Sequence, residues 1–429
     1  KAVVASDEEA RAAISDYEKA ANLALARQQV EALSRVLRDQ VVVITGGPGV
    51  GKTTIVRGIV AILSRARRAI ALAAPTGRAA KRLSEATGQP ALTLHRLLEW
   101  RPAESAFARN AARPLECDVL IVDEASMLDL RLAADLFAAL ATGTRLVLVG
   151  DVDQLPSVGP GAVLADIIRS ERVPTVRLTE IFRQAAASLI VRNAHRIHEG
   201  EMPELGTPSP DGPAHDARDF FVLDEDDPAR AALLVRDLVG QRLPKRYNLS
   251  PHDIQILAPM HRGDLGAGNL NGLLQEALTA GAPELRRGNR VYRVGDRVMQ
   301  MRNNYDKDVF NGDIGRIEQV DAEAVEVAVR FEDRTVVYEG DETEELTLAY
   351  AVTVHKSQGS EYAAVVIPLH TQHFVMLQRN LLYTAVTRGK RLVVVVGSRK
   401  ALGIAVRNGN VAARATRLAG RLAALAHAD

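Results

Sequence analysis

Four short, almost wholly apolar runs punctuate the first part of the chain: VVVIT (41–45), AIALAAP (69–75), DVLIVDE (118–124) and RLVLVGD (145–151). Runs this short, without alternating polar positions, predict strands covered on both faces. The helical stretches between them predict the parallel sheet of an α/β domain. Ahead of the first run, residues 8–38 predict a helix or helix pair, with Leu23, Leu25, Val30, Leu33 and Val36 as its apolar side. TIVRGIVAILSRARR, after the first run, predicts another helix. Residues 1–190 thus read as one domain. Within it, RPAESAFARNAARPLE (about 100–116) is too polar and interrupted for a core element and predicts an exposed hairpin or loop insertion.

The same pattern returns further along. DIQILAP (253–259), AAVVIPL (363–369) and RLVVVVGS (391–398) predict the strands of a second α/β domain, covering 191–290 and 350–429. Between its halves, residues 291–349 alternate apolar and polar positions and are broken by turn residues, which predicts a small antiparallel barrel. The Pro-, Gly- and Asp-rich stretch 200–216 reads as an interdomain linker or surface excursion.

Composition adds limits. The 429 residues, 47% hydrophobic and 25% charged, are ordinary for a globular chain and exclude a disordered, collagen-like or disulfide-stapled one. At ~150 residues per domain the length predicts about three domains. One cysteine, Cys117, cannot form an internal disulfide, and the acidic start has no secretion-signal core. With no run of about 18 apolar residues, a cytoplasmic location is expected. Net charge is +1, yet residues 52–115 carry 12 basic and 3 acidic groups, 321–348 carry 2 and 10, and 362–428 carry 10 and none. The near-zero total is a cancellation of blocks, and the two basic ones favour a localised anion-binding surface.

Gly46-Gly47-Pro48-Gly49-Val50-Gly51-Lys52-Thr53 is the sharpest chemical signal. Placed after a predicted strand and before a helix, it matches the phosphate-binding loop G-x-x-x-x-G-K-[ST]. Gly47, Gly49 and Gly51 let backbone N–H groups wrap a phosphate, Lys52 reaches the β/γ-phosphates, and Thr53 and Thr54 open the helix, with Thr53 able to ligate Mg²⁺. Asp123 and Glu124 end a strand that emerges on the same sheet edge. Asp123 suits the Mg²⁺ shell and Glu124 suits orienting or deprotonating water. Gln154, after the next strand, suits sensing a γ-phosphate. These residues read as an NTPase using Mg²⁺, and the ATP it would use is implied only by the resemblance that follows.

With that site in hand, further segments resemble the RecD-like branch of superfamily 1B DNA helicases, over nearly the whole chain. RQQVEAL places Gln29 at the adenine-reading glutamine. APTGRAAKRL (74–83) and TLHR (93–96) resemble motifs that contact single strands. VDEASM (122–127) and GDVDQLPSVGPG (150–161) resemble motifs II and III, LTEIFRQ (178–184) motif IV, TVHKSQGSEY (353–362) motif V and YTAVTRGK (383–390) motif VI. The resemblance implies two RecA-like domains with a hairpin, or pin, in the first and an SH3-like insertion in the second. It makes Arg183 and Arg388 arginine fingers and puts Gly359 and Glu361 in the nucleotide site. Thr76, Arg78, His95, Thr353, His355 and Lys356 become DNA contacts. Trp100, Tyr305 and Phe310 are candidate base-stacking or wedge residues.

The function so implied is ATP-driven translocation on single-stranded DNA, 5′ to 3′, with duplex split at the pin. It implies a repair or recombination role for a monomeric motor acting at duplex junctions beside repair or recombination proteins. The alternative is a helicase subunit that organises a multi-protein recombination complex, with little unwinding alone. A P-loop kinase or sensory ATPase would lack the paired motifs V and VI. No residue by itself separates DNA from RNA.

Overall fold

The computed structural model describes residues 6–182, 185, 187–205, 219–304, 306–332, 334–410, 414 and 416–424. Two compact units divide the chain: Lys1–Ala187 with Ala412–Asp429, and Ser188–Val411.

In the first unit, α1 (Asp7–Ala21) and α2 (Arg27–Arg38) form the predicted helix pair. Asn22, in the left-handed conformation, ends α1, and the Glu18 carboxylate accepts from Leu25 N–H at 2.8 Å. Leu23 and Leu25 therefore lie in the connection rather than on a helix. The buried face of α1 is Ala10, Ile14 and Tyr17. There follow β1 (Val41–Gly46), α3 (Lys52–Arg65), β2 (Ile70–Ala74), α4 (Gly77–Thr87), β3 (Ala91–Thr93) and α5 (Leu94–Leu97). A small hairpin, β4 (Trp100–Arg101) with β5 (Ala106–Phe107), precedes β6 (Val119–Val122), α6 (Leu130–Ala138), β7 (Arg145–Gly150), α7 (Val163–Arg169) and β8 (Thr175–Leu178).

The strands pair in the order β3-β2-β6-β7-β1-β8, all parallel. Every residue of β6 and β7 is buried, as uninterrupted apolar runs require. Sequence patterning missed β3, which is only three residues long, and the edge strand β8, whose exposed Arg177 interrupts a four-residue run.

The second unit contains α8 (Leu189–Glu199), β9 (Phe220–Asp224), α9 (Pro228–Asp237), α10 (Leu243–Tyr247), β10 (Ile254–Ala258) and α11 (Ala267–Thr279). The hairpin β11 (Glu284–Arg287) and β12 (Arg290–Arg293) leads into β13 (Arg297–Gln300), β14 (Ile314–Asp321), β15 (Glu326–Arg330), β16 (Thr335–Glu339) and β17 (Leu346–Leu348). These last five form an antiparallel sheet in the order β16-β15-β14-β13-β17. The chain then returns through β18 (Ala351–Thr353), β19 (Tyr362–Leu369), α12 (Arg379–Val386), β20 (Gly389–Gly397) and α13 (Arg399–Arg407). A parallel sheet in the order β18-β10-β19-β20-β9 results.

Asp296 fastens the antiparallel insertion to this unit. Its buried carboxylate accepts from Gln275, Thr279, Tyr350 and the Arg293 N–H at 2.6–3.0 Å. Those bonds offset the desolvation that raises its pKa.

One boundary differs from the sequence reading, at the chain end. Of the stretch 200–216, residues 200–205 are described, within the second unit. Its described start is held by Asn193, whose amide exchanges two hydrogen bonds with the Glu204 backbone at 2.7 and 2.9 Å, and 206–218 lie outside the described residues. The chain end, expected with the second domain, belongs to the first. There α14 (Leu418–Ala424) packs Leu418 and Leu422 against the core near α7. Among the described residues no helix is long and apolar enough to cross a membrane.

Candidate functional site

Parallel pairing brings the carboxyl ends of β1, β2, β6 and β7 to one edge, the edge where α/β sheets hold ligands. The phosphate-loop motif fills the β1–α3 turn. Gly49 (φ 75°) and Gly51 (φ 83°) take the left-handed conformation that a Cβ opposes, and Gly51 is the N-cap of α3. Lys52 Nζ donates to the Gly46 and Gly47 carbonyls at 2.5 and 2.8 Å, folding its ammonium back over the loop. Thr53 is exposed and Thr54 half-exposed in the first turn of α3, whose N-terminus favours an anion.

Gln29 lies behind this loop, 2% exposed. Its Oε1 accepts from Ala26 N–H at 3.0 Å, and its Nε2 has no hydrogen-bond partner within the protein. An orphaned buried donor beside a phosphate loop fits a nucleotide base. Two neighbours escaped the sequence reading. The Phe182 N–H donates to the Gly49 carbonyl at 3.3 Å, and its ring edges Gly51. Gln28 ties α2 to the same segment: its Oε1 accepts from Thr179 N–H at 2.7 Å and its Nε2 donates to Thr179 Oγ1 at 2.9 Å. The adjacent glutamines of RQQ were the available signal.

Asp123 follows β6 and donates its backbone N–H to Ala73 O at 2.9 Å. Desolvation, then the Glu124 charge, push its pKa up to about 6, against the pull of Arg82 and Lys52. A divalent cation shared with Thr53 would relieve that strain, so the donor set fits Mg²⁺. Glu124 adopts φ 53°, uncommon outside glycine, and its Oε1 receives Arg82 Nη2 at 3.1 Å. Gln154 Nε2 donates to buried Asp151 at 3.0 Å, and Val152 N–H donates to Thr45 Oγ1 at 3.2 Å, tying motif III to β1. Lys52, Asp123, Glu124 and Gln154 thus share one sheet edge.

In the second unit, Thr353 ends β18 and caps a short turn carrying His355 and Lys356. Lys356 Nζ lies 3.4 Å from Met301 Sδ, beside the antiparallel insertion. Gly359 has φ 70°, and Glu361 pairs with Lys390 at 3.0 Å. Arg388 is 3% exposed. Its guanidinium donates to Ser360 O at 3.2 Å and Thr384 O at 3.3 Å. Arg183 and Tyr305 lie outside the described residues.

Of the strand-contact candidates, Thr76 is the N-cap of α4, accepting from Ala79 N–H at 3.3 Å, and Arg78 stands in the first turn. Desolvation lowers the His95 pKa, against the opposing pull of Asp129. The His95 ring clusters with Trp100 (6.3 Å between centroids) and Phe107 (5.6 Å), and Trp100 meets Phe107 edge-on at 4.8 Å. Phe107 is the member that sequence reading missed. The hairpin is braced by ion pairs of Glu99 with Arg109 and Arg113 at 2.8 and 2.9 Å, while Arg101 pairs with Glu104 at its tip. Phe310 is half-buried in a turn closed by its N–H to Asp313 at 2.8 Å.

Comparison with known proteins now bears on this geometry. An AAA domain matches residues 29–160, the SH3 domain of ATP-dependent RecD-like DNA helicases matches 270–331, and the C-terminal domain of UvrD-like helicases matches 348–396. The RecBCD enzyme subunit RecD of Mycolicibacterium smegmatis is 34% identical over 437 residues, covering 92% of this chain and 74% of that protein. The chain belongs to the RecD-like DNA helicases. The ATP-dependent RecD2 DNA helicase of Deinococcus radiodurans is 38% identical over 394 residues, 90% of this chain and 51% of that protein; the chain spans about half its length. The fold is shared with Bacteroides Pif1 bound to single-stranded DNA, at a TM-score of 0.53 and 20% identity over 87% of this chain and 92% of that one. For a RecD-like helicase, the antiparallel insertion is the SH3 domain. The matched span, 270–331, covers β11–β15, and the hairpin β11–β12 forms a separate two-stranded sheet ahead of the five-stranded one.

Proposed function

We propose that this chain is an ATP-driven motor that moves 5′ to 3′ along single-stranded DNA and separates duplex at the 100–116 hairpin, in DNA repair or recombination. The observation that carries the ATPase part is the convergence of Lys52, Asp123, Glu124 and Gln154 on one sheet edge beside the orphaned Gln29 amide. In this reading Lys52 and the loop amides bind the β/γ-phosphates, Thr53 and Asp123 hold Mg²⁺, Glu124 orients water, and Gln29 reads the base. Mg²⁺ supplies charge neutralisation on the phosphates when bound. Arg183 and Arg388 are the proposed fingers. Thr54, Gly359 and Glu361 complete the proposed nucleotide site. Thr76, Arg78, His95, Trp100, Thr353, His355, Lys356 and Tyr305 form the proposed track. It binds sequence-independently because hydroxyls, amides and cations meet phosphate rather than base edges.

The test uses ATP turnover with and without an oligothymidylate, and unwinding of duplexes bearing a 5′ or a 3′ tail. Stimulation by the oligonucleotide, its loss in Lys52→Ala, and unwinding of the 5′-tailed duplex alone are expected. An ATPase indifferent to DNA would overturn the motor. Unwinding of only the 3′-tailed substrate would overturn the polarity.

A second reading is supported by the matches to RecD subunits of RecBCD enzymes. In it, the chain works within a multi-protein recombination complex and unwinds weakly alone. DNA-stimulated ATPase without unwinding of either substrate would favour it over the monomeric motor.

A further inference from the structure

Arg82 reaches from α4 to the carboxylate that the proposed mechanism gives to water. Its Nη2 stands 3.1 Å from Glu124 Oε1, with the two side chains 29% and 15% exposed. Glu124 itself is held at φ 53°, so its backbone position is set by the turn that follows β6 rather than chosen by its side chain. The oxygen that accepts the guanidinium cannot accept a water proton from the same direction. As observed, then, Glu124 is restrained by a neighbour on α4 whose charge also acts on Asp123.

The position of that neighbour is informative. Arg82 lies one turn beyond Arg78, so the two arginines occupy one face of α4, about 6 Å apart along the axis. Thr76 and Arg78 at the start of this helix are the proposed contacts for a strand phosphate, and the helix N-terminus favours an anion there. A phosphate on this turn comes within the sweep of the long Arg82 side chain. It offers a forked guanidinium an acceptor at least as good as a carboxylate.

We propose that Arg82 holds Glu124 in a restrained position when no nucleic acid is bound. When a single-stranded DNA phosphate reaches the first turn of α4, it takes over the guanidinium and frees Glu124 to orient water. Arg82 is thus a positioning residue that makes hydrolysis depend on the track. The inference rests on the proposed roles of Glu124 and of the α4 turn.

The experiment compares ATP turnover by the parent, Arg82→Gln and Arg82→Lys, in Mg²⁺ buffer, without DNA and with saturating oligothymidylate. Thermal unfolding reports that each variant is folded. Without DNA, Arg82→Gln should raise kcat roughly tenfold, equivalent to ~1.36 kcal/mol of barrier. Its KM for ATP and its DNA-saturated kcat should stay near the parent values, so the stimulation ratio collapses. Arg82→Lys, which keeps the charge but loses the fork, should fall between the two, and it carries the comparison if Arg82→Gln is unfolded. An unchanged ratio, or a basal rate that falls together with the stimulated one, would overturn the inference. A parent enzyme that DNA does not stimulate would overturn the proposed motor instead. The basal rate of Arg82→Gln separates these failures.

Discussion

The side-chain amide of Gln29 occupies the space that a methyl group on Gly51 would need: a Cβ there would stand 2.4 Å from Nε2, and 2.6 Å from the Phe182 ring. The phosphate loop is therefore packed against the proposed base-reading residue, and the two cannot vary independently.

Gly51→Ala should be severely impaired. Its φ of 83° costs a non-glycine residue roughly 1–2 kcal/mol, before any collision with Gln29 and Phe182. Titration with a fluorescent ATP analogue is expected to show a large loss of affinity. Gln29→Ala leaves the loop room but removes the base contact. Its kcat/KM for ATP should fall roughly tenfold, the ~1.4 kcal/mol of one good hydrogen bond, and its preference for ATP over GTP should shrink. An unaltered ATP/GTP ratio would remove Gln29 from base recognition.

Hairpin deletion needs limits that the sequence could not supply. Leu115 is buried, and its N–H donates to Ala139 O at 2.8 Å, so a deletion running through it damages the core. Joining Arg101 to Pro114 by a short glycine link, removing 102–113, should retain DNA-stimulated ATPase and lose strand separation. Equal loss of both would show that the hairpin is not a pin.

Arg414 clamps the loop that follows Gln154. Its Nη1 donates to Gly159 O and Gly161 O at 2.8 and 2.7 Å. In Arg414→Ala, amide hydrogen exchange across 155–161 should quicken, and DNA-stimulated turnover should fall several-fold. Unchanged protection of that loop would assign the clamp no role.

Acid sensitivity has a specific source in His373. The ring is 1% exposed, and burial, with neighbouring His370 adding to it, lowers its pKa from 6.5 to about 4. Between those values the unfolded chain binds a proton that the folded protein refuses. The associated stability is complete above about pH 6.5 and is lost as pH falls toward 4, up to roughly 3 kcal/mol. Thermal unfolding of His373→Gln should lose less between pH 6.5 and 4.5 than the parent does, and parallel curves would disprove the assignment.

The two parallel sheets, the antiparallel insertion and the phosphate loop were legible along the chain. Each of these is written locally: short apolar runs bury both strand faces, alternation marks a half-exposed sheet, and glycines at set spacing permit the loop. Which side chains stand beside one another follows from the folded arrangement. Arg82 and Glu124 meet across 42 residues, Gln28 and Thr179 across 151, and Arg414 and Gly161 across 253. No local period encodes such contacts, because they arise when strands are ordered in the sheet and the chain end packs back on α7. The same packing buried Arg388 and set the His95 ring against Trp100 and Phe107, and a motif records neither.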